Sequence, residues 1–88
     1  MSDEQRAFRE KQRIDDLRAL MAEPAGRRFA WRLLGSTGIF QQSFVPGDPR
    51  IETTFFNEGK RSIGLELLAE INKHCPAQYH LMVKEASK

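Results

Sequence analysis

Residues 55–71, FFNEGKRSIGLELLAEI, decide the fold, because they form an amphipathic helical pattern that is interrupted by two glycines. Apolar residues recur at intervals of three and four over a broad arc, which predicts a central helix with packing partners on two sides. Glycine costs about 1 kcal/mol relative to alanine inside a helix. We therefore expect Gly59 and Gly64 each to omit a side chain where a neighbouring helix or loop approaches closely. A bend at Gly59 is the alternative.

These glycines do not match a nucleotide site. A phosphate-binding loop requires Gly-x-x-x-x-Gly-Lys-Ser/Thr between a strand and a helix, whereas Leu65 and Glu66 follow the second glycine here. The dinucleotide pattern Gly-x-Gly-x-x-Gly does not occur in the sequence either. The sequence therefore predicts no cofactor.

A first helix is predicted over residues 3–22, with Ser2 or Asp3 as its cap. Its buried stripe lies in the second half and comprises Ile14, Leu17, Leu20 and Met21. Residues 1–13 form a charged arm in which Phe8 is the only large apolar residue besides the initiating methionine. The favoured interpretation of this arm is a frayed polar end, because termini are often loosely held. The alternatives are a solvated helix extension that projects from the core and a segment that docks on a partner.

A second helix is predicted to begin at Pro24 and to end at Gly35 in a left-handed cap. Its expected inner face comprises Phe29, Ala30, Leu33 and Leu34. Residues 35–49, GSTGIFQQSFVPGDP, form a long connection containing several apolar and aromatic residues. We expect a loop that its aromatic residues pin to the core, with one short helical turn at 39–43. Two edge strands are the alternative.

The third helix is expected to start after Asp48 or at Thr53, and to end before Pro76, which opens a fourth helix. The inner face of the fourth helix comprises Tyr79, Met82 and Val83. The predicted fold is thus one small all-α domain over residues 1–88, with three to four helices and a core within residues 14–86. The aromatic-pinned loop lies between helices two and three.

Composition limits the function classes. The 88 residues carry a net charge of +2, too small for a strongly basic or acidic chain. Cys75 is the single cysteine, which excludes an internal disulfide and fits a reducing cytoplasm. We found neither a signal-peptide core nor an apolar run of the roughly 20 residues that a membrane helix needs. We therefore expect a protein that stays in the cytoplasm, with no membrane partner.

The sequence contains only weak signals for a catalytic site or a metal site. His74, Cys75 and His80 are three conceivable metal ligands, but structural zinc usually takes four. Surface histidines beside a buried thiol are the better interpretation. Glu66 and Glu70 share a polar helix face and are expected to be solvated, with weak pairs to lysine. The sequence predicts no catalytic residue and no metal ligand, and hence no enzyme.

The most distinctive cluster lies at the start of the second helix, where a cation–π contact between Arg27 and Trp31 is available. It predicts a docking spot for an acidic protein surface, or for nucleic acid, although three cations are few beside the roughly six to ten phosphate contacts of a strong DNA binder. The candidate partner-binding residues are Arg27, Arg28, Trp31, Arg32, Lys60 and Arg61. The last two belong to the cluster only if helix three packs against helix two. The other interpretation places Trp31 at the rim of the core. The arginines would then pair with Glu58, Asp15 or Asp16.

A family resemblance covers about residues 17–86 and leaves the arm outside. It is carried by GRRFAWRLLGSTGIFQQSF, TFFNEGKRSIGLELL and CPAQYHLM. The residues that carry the pattern are Gly26, Arg27, Arg28, Phe29, Trp31, Arg32, Leu34, Gly38, Phe40, Ser43, Phe44, Phe56, Glu58, Gly59, Arg61, Gly64, Leu65, Tyr79 and Met82. Lys60 and Ser62 depart from the Arg and Asn of the pattern. On these residues the chain resembles a family of small proteins from tailed bacteriophages, found especially in short-tailed phages and prophages.

The resemblance implies a biological setting and no chemistry, because the family has no assigned catalytic residue or cofactor to carry over. It implies a phage protein that binds another phage protein in head assembly, or a minor virion component, located in the host bacterial cytoplasm. One alternative is a host-directed inhibitor that binds a bacterial protein. Another is a weak nucleic-acid binder acting through Arg27, Arg28 and Arg32. A homo-oligomer is compatible with each. For docking, Phe8 and Arg13 on the arm form a second candidate surface.

Overall fold

The structure is a computed structural model that describes residues 2–40 and 51–88, with the backbone alone for residues 51–55. The described residues form four helices, α1 (Asp3–Ala22), α2 (Pro24–Ser36), α3 (Ile51–His74) and α4 (Pro76–Ala86), and contain no strand. The predicted all-α fold is confirmed. Prolines open α2 and α4 in their first turns, where no backbone N–H is needed.

Helix α1 begins with a capping box, in which the Ser2 hydroxyl accepts a hydrogen bond from the Gln5 backbone N–H and the Gln5 side chain accepts one from the Ser2 N–H. These bonds satisfy two of the backbone groups that a helix start leaves unpaired. Every described residue up to Arg13 is exposed, including Phe8, whose side chain is 67% exposed. The arm is therefore a regular helical extension that projects from the core, and the expectation of a frayed end is wrong.

All four helices contribute to one small core, since α2 contacts each of the other three. Among the residues whose side chains are described, the buried apolar ones are Met21, Ala30, Leu34, Ile71, Cys75 and Met82. Helix α3 contributes through its C-terminal half, whereas Phe56 and Ile63 are 66% and 65% exposed. The expectation that the apolar arc of α3 is covered on two sides is wrong at these two positions. Periodicity identifies apolar positions but not the neighbours that cover them.

The expected inner face of α2 is half right. Ala30 and Leu34 are buried, but Phe29 and Leu33 remain 48% and 42% exposed. The four residues span more of the helix circumference than α1, α3 and α4 cover. The two apolar side chains left outside become relevant to binding below.

Helix α2 does not end at Gly35, which corrects the predicted cap. The helix continues to Ser36, and Gly38 adopts the left-handed backbone conformation instead, with φ +79°. The Gly38 N–H donates to the Gly35 carbonyl at 3.3 Å. The buried Thr37 hydroxyl donates to the Leu34 carbonyl at 2.6 Å and so satisfies one of the last carbonyls of the helix.

The two glycines of α3 have different surroundings. A Cβ on Gly64 would lie 2.0 Å from Thr37 Oγ1 and 2.5 Å from Ile39 Cγ2, so the turn after α2 approaches α3 as closely as glycine allows. The predicted steric role of Gly64 is confirmed. At Gly59, no described atom lies within 4 Å of such a Cβ. Because most of the loop expected to approach it lies outside the described residues, the same role at Gly59 stays a prediction.

The connection after α2 is described only as far as residue 40. Ile39 packs against the core, and the Phe40 ring lies against the Trp31 ring with centroids 5.3 Å apart. The expected pinning of the loop by its aromatics and the turn at 39–43 lie largely outside the described residues, as does a start of α3 at Asp48. The α3 backbone is already helical at Ile51, before the alternative start.

Candidate functional site

Arg27 is buried and fully engaged, which corrects its expected role as an exposed docking group. Its side chain bridges to α4, where Nε donates to Glu85 Oε1 at 2.7 Å and Nη2 donates to Oε2 at 3.1 Å. Nη1 donates to the carbonyls of Met21 at 2.9 Å and Ala22 at 3.1 Å. The guanidinium thus satisfies two terminal carbonyls of α1 and joins α1, α2 and α4. Its partner is Glu85, and not Glu58 or an aspartate of α1.

This pair explains the electrostatics of the site. The hydrogen bond to Glu85 raises the pKa of Arg27, while burial opposes that shift. In turn, the hydrogen bond from Arg27, with the nearby charges of Arg28 and Lys88, lowers the pKa of Glu85. Glu85 was missed in the sequence. Its signal was the spacing of three from buried Met82, which places both on one helix face.

Gly26 makes the corner between α1 and α2 possible. A Cβ at this position would lie 1.8 Å from the Leu20 carbonyl oxygen, which is backbone and cannot rotate away. The corner brings the end of α1 within reach of the Arg27 guanidinium. Gly26 and Arg27 therefore both stabilise the junction between α1 and α2. In the sequence, only the family pattern connected these two residues.

The outer side of α2 carries exposed cations beside exposed apolar residues. Arg28 and Arg32 are exposed, and the Arg32 guanidinium carbon lies 5.5 Å from the centre of the Phe29 ring. Leu33, four residues after Phe29, is also exposed. We call Arg28, Phe29, Arg32 and Leu33 the outer face of α2. The cation–π contact on α2 thus joins Arg32 and Phe29, and not Arg27 and Trp31 as expected.

Trp31 lies at the rim of the core and borders a cleft between α2 and α4. Its ring is half-buried and packs against the core cluster. The cleft has a volume of about 300 Å³ and is lined by Arg27, Arg28, Trp31, Met82, Glu85 and Ala86. We call this the α2–α4 cleft.

Lys60 and Arg61 lie on the N-terminal half of α3. The Lys60 Nζ sits 5.0 Å from the centre of the exposed Phe56 ring. No described hydrogen bond, ion pair or ring contact joins either residue to the arginines of α2. The structure therefore brings Arg28 and Trp31 together at the cleft and gives Lys60 and Arg61 separate surroundings.

The conceivable metal ligands near the start of α4 do not form a metal site within the described residues. Cys75 is 4% exposed, and burial raises the pKa of its thiol, which agrees with the expected buried cysteine. His80 is exposed, and its ring makes a T-shaped contact with the Tyr79 ring, with centroids 5.6 Å apart. Within the described residues, no three His, Cys, Asp or Glu side chains are grouped to hold a metal ion.

Glu70 was expected to be solvated, but it pairs with Arg13 of α1. The Arg13 Nε donates a hydrogen bond to Glu70 Oε1 at 2.8 Å. The Arg13 candidate on the arm is thus already engaged with α3, which raises its pKa. Phe8 borders a shallow groove along α1 with Lys11, Gln12, Asp15 and Asp16. In the described ranges, no helix is long and apolar enough to span a membrane.

Comparison with known proteins places the chain in a family. A search of curated proteins and a search of solved structures give no significant match. The profile of the Bbp19-like phage protein family matches residues 17–84. This range contains the buried core, the outer face of α2 and most of the α2–α4 cleft, whose Glu85 and Ala86 lie just beyond it, and it excludes the arm. Because the match covers well over half of the chain, the protein belongs to the Bbp19-like phage protein family.

Proposed function

We propose that this phage protein is not an enzyme and acts by binding another phage protein, either during head assembly or as a minor virion component. It would do so in the cytoplasm of the bacterial host. The observation that carries the proposal is the outer face of α2, which presents apolar and cationic side chains that the fold itself does not use.

The outer face of α2 has the composition of a protein-binding surface. Phe29 and Leu33 expose about half of their side chains, at 48% and 42%, in a helix whose opposite side is fully packed. Arg28 and Arg32 flank these apolar groups. Aromatic residues and arginine are enriched in protein interfaces because they bury a large apolar area and can still satisfy polar partners. Covering this face would remove apolar surface from water without disturbing the core.

The exposed arm supplies a second surface. Phe8 is exposed on a helix whose backbone is capped and regular, so the arm presents this ring without first having to fold. A preformed helix loses less conformational entropy on binding than a disordered segment does. The arm lies outside the family match, so membership of the family does not by itself imply a binding role for it.

A pull-down from phage-infected cells tests the proposal with a matched pair of variants. Phe29→Ser/Leu33→Ser removes the apolar part of the outer face of α2. Leu65→Ser/Leu81→Ser removes two leucines that are exposed to a similar extent, 42% and 40%, on α3 and α4. The wild type and the control are expected to capture a phage structural protein, and the α2 variant to lose it. Mass spectrometry of gradient-purified particles and assembly intermediates should find the chain at a defined copy number.

Other outcomes would replace the proposal. Absence of the chain from both particles and intermediates, together with a stoichiometric bacterial partner from uninfected lysate, would indicate a host-directed inhibitor. A mobility shift of nucleic acid that weakens steeply with salt, and is lost in Arg28→Ala/Arg32→Ala, would indicate nucleic-acid binding.

A further inference from the structure

We infer that the α2–α4 cleft binds an acidic segment of the protein partner, which inserts one apolar side chain beside Trp31 and places a carboxylate against Arg28. This inference rests on the proposed function and specifies the chemistry of its partner. The binding centre is then a cleft in which Arg27 forms part of the wall, with its guanidinium bonded within the fold.

The dimensions of the cleft suit a side chain better than a cofactor. Its volume of about 300 Å³ is at the lower end of the roughly 300–1,000 Å³ that small-molecule sites occupy. Met82, 1% exposed, lies in its apolar lining with the half-buried Trp31 ring and Ala86. A pocket bordered by Trp and Arg is typical of the few positions that supply most of the binding energy in an interface.

The charges around the cleft favour a carboxylate. Arg27 and Glu85 neutralise each other within the wall. The other charged residue of the lining is Arg28. The lining therefore holds two cations and one carboxylate. This balance attracts an acidic segment and repels a basic one.

Arg28 is the cation of this group that remains available. It makes no hydrogen bond or ion pair with any other described residue, whereas the Arg27 guanidinium is held by four hydrogen bonds. The lining is also held by contacts within the fold, since the Trp31 ring lies against the Phe40 ring with centroids 5.3 Å apart and Arg27 joins α1, α2 and α4. A preorganised cleft with one unpaired cation at its rim reduces the ordering cost of binding.

Trp31 provides the measurement, because it is the only tryptophan in the sequence. The full chain is titrated with three synthetic helical peptides, one of Glu, Leu and Ala, one with Lys in place of Glu, and one with Ser in place of Leu. The Glu–Leu peptide is expected to change the Trp31 emission saturably. The other two peptides are expected to bind roughly tenfold more weakly or not at all, since each lacks one of the two required groups.

Two charge reversals test the role of Arg28. Arg28→Glu should weaken the Glu–Leu peptide roughly tenfold or more and strengthen the Lys–Leu peptide. Arg9→Glu makes the same charge change on the exposed arm and should alter neither. Circular dichroism of both variants checks that the helices are retained. Equal responses to the Glu and Lys peptides, or an Arg28→Glu variant that binds like the wild type, would overturn the inference.

The inference and the proposed function can fail separately. If Arg28→Glu still captures the phage partner from infected cells as well as the wild type does, the proposed function stands and the cleft is not its binding centre. If the wild type captures no phage protein, the proposed function fails. The peptide titration then still decides whether the cleft selects acidic apolar segments.

Discussion

Alanine at Gly64 is expected to destabilise the protein, whereas alanine at Gly59 is expected to stabilise it. Both glycines lie inside α3, so each replacement gains about 1 kcal/mol of helix propensity. The two positions differ in what the new methyl group meets. At Gly59 it meets no described atom within 4 Å, and at Gly64 it would overlap Thr37 and Ile39.

The size of the effect follows from the contacts at Gly64. A Cβ there would lie 2.0 Å from Thr37 Oγ1, 2.7 Å from Thr37 Cβ and 2.5 Å from Ile39 Cγ2. Overpacking of this kind costs about 1–3 kcal/mol. Moving Thr37 aside also endangers its hydrogen bond to the Leu34 carbonyl, worth about 0.5–1.5 kcal/mol. After the propensity gain, Gly64→Ala should lose about 1–3 kcal/mol of the free energy of unfolding.

Urea unfolding followed by circular dichroism and by Trp31 fluorescence measures both variants. Gly59→Ala should raise the free energy of unfolding by up to about 1 kcal/mol, so the two variants should differ by about 2–4 kcal/mol. In a Thr37→Ala background, Gly64→Ala should cost less, because part of the overlap is gone. If Gly64→Ala were as stable as Gly59→Ala, the turn after α2 would not approach α3 as closely as described, and the steric reasoning would be refuted.

Three further predictions follow from other parts of the fold. The hydrogen bond from Arg27 lowers the pKa of Glu85 in the folded protein. The pair therefore stabilises the protein fully above the ordinary carboxyl pKa of about 4.3. This stabilisation is lost as the pH falls through the lower pKa that Glu85 has in the folded state. Glu85→Gln should therefore flatten acid unfolding in that range, and an unchanged pH profile of the unfolding midpoint would contradict the assignment. Cys75, buried and with a raised thiol pKa, should react slowly with a thiol reagent in the native protein and rapidly in urea; equal rates would show that the thiol is accessible. Gly38→Ala should lower the free energy of unfolding in urea by about 1–2 kcal/mol, because a φ of +79° is unfavourable for a residue with a side chain, even though no described atom lies within 4 Å of the new Cβ. A neutral effect would imply that this turn relaxes.

Much of the fold could be predicted because helix signals are local. The Ser2 cap and the prolines at the starts of α2 and α4 lie within a turn of the backbone they organise. The helical period places Ala30 and Leu34 on one side of α2. It could not distinguish them from Phe29 and Leu33, since all four satisfy the same spacing. The end of α2 was misplaced for a similar reason, because both Gly35 and Gly38 can terminate a helix.

The candidate site was less predictable than the fold. Arg28 and Trp31 were identified from their clustering, and the cleft that joins them requires α4 to pack beside α2. The same clustering led to a wrong prediction for Arg27. It is adjacent to Arg28 in the sequence, but its side chain is buried whereas that of Arg28 is exposed. Neighbouring residues of a helix project about 100° apart, so one becomes part of the interior while the next remains in water.

The sequence by itself determined that the chain is helical, where three of its helices begin, and that it carries the pattern of a phage protein family. These properties depend on residues a few positions apart or on the identities of the residues alone. The tertiary structure decided which apolar residues are covered, which arginine is bound and which glycine is crowded. Arg27 and Glu85 are 58 positions apart, and so their pairing depends on how four helices fill one small core. That packing is a property of the whole chain, because each helix can bury one face only where another helix provides its complement.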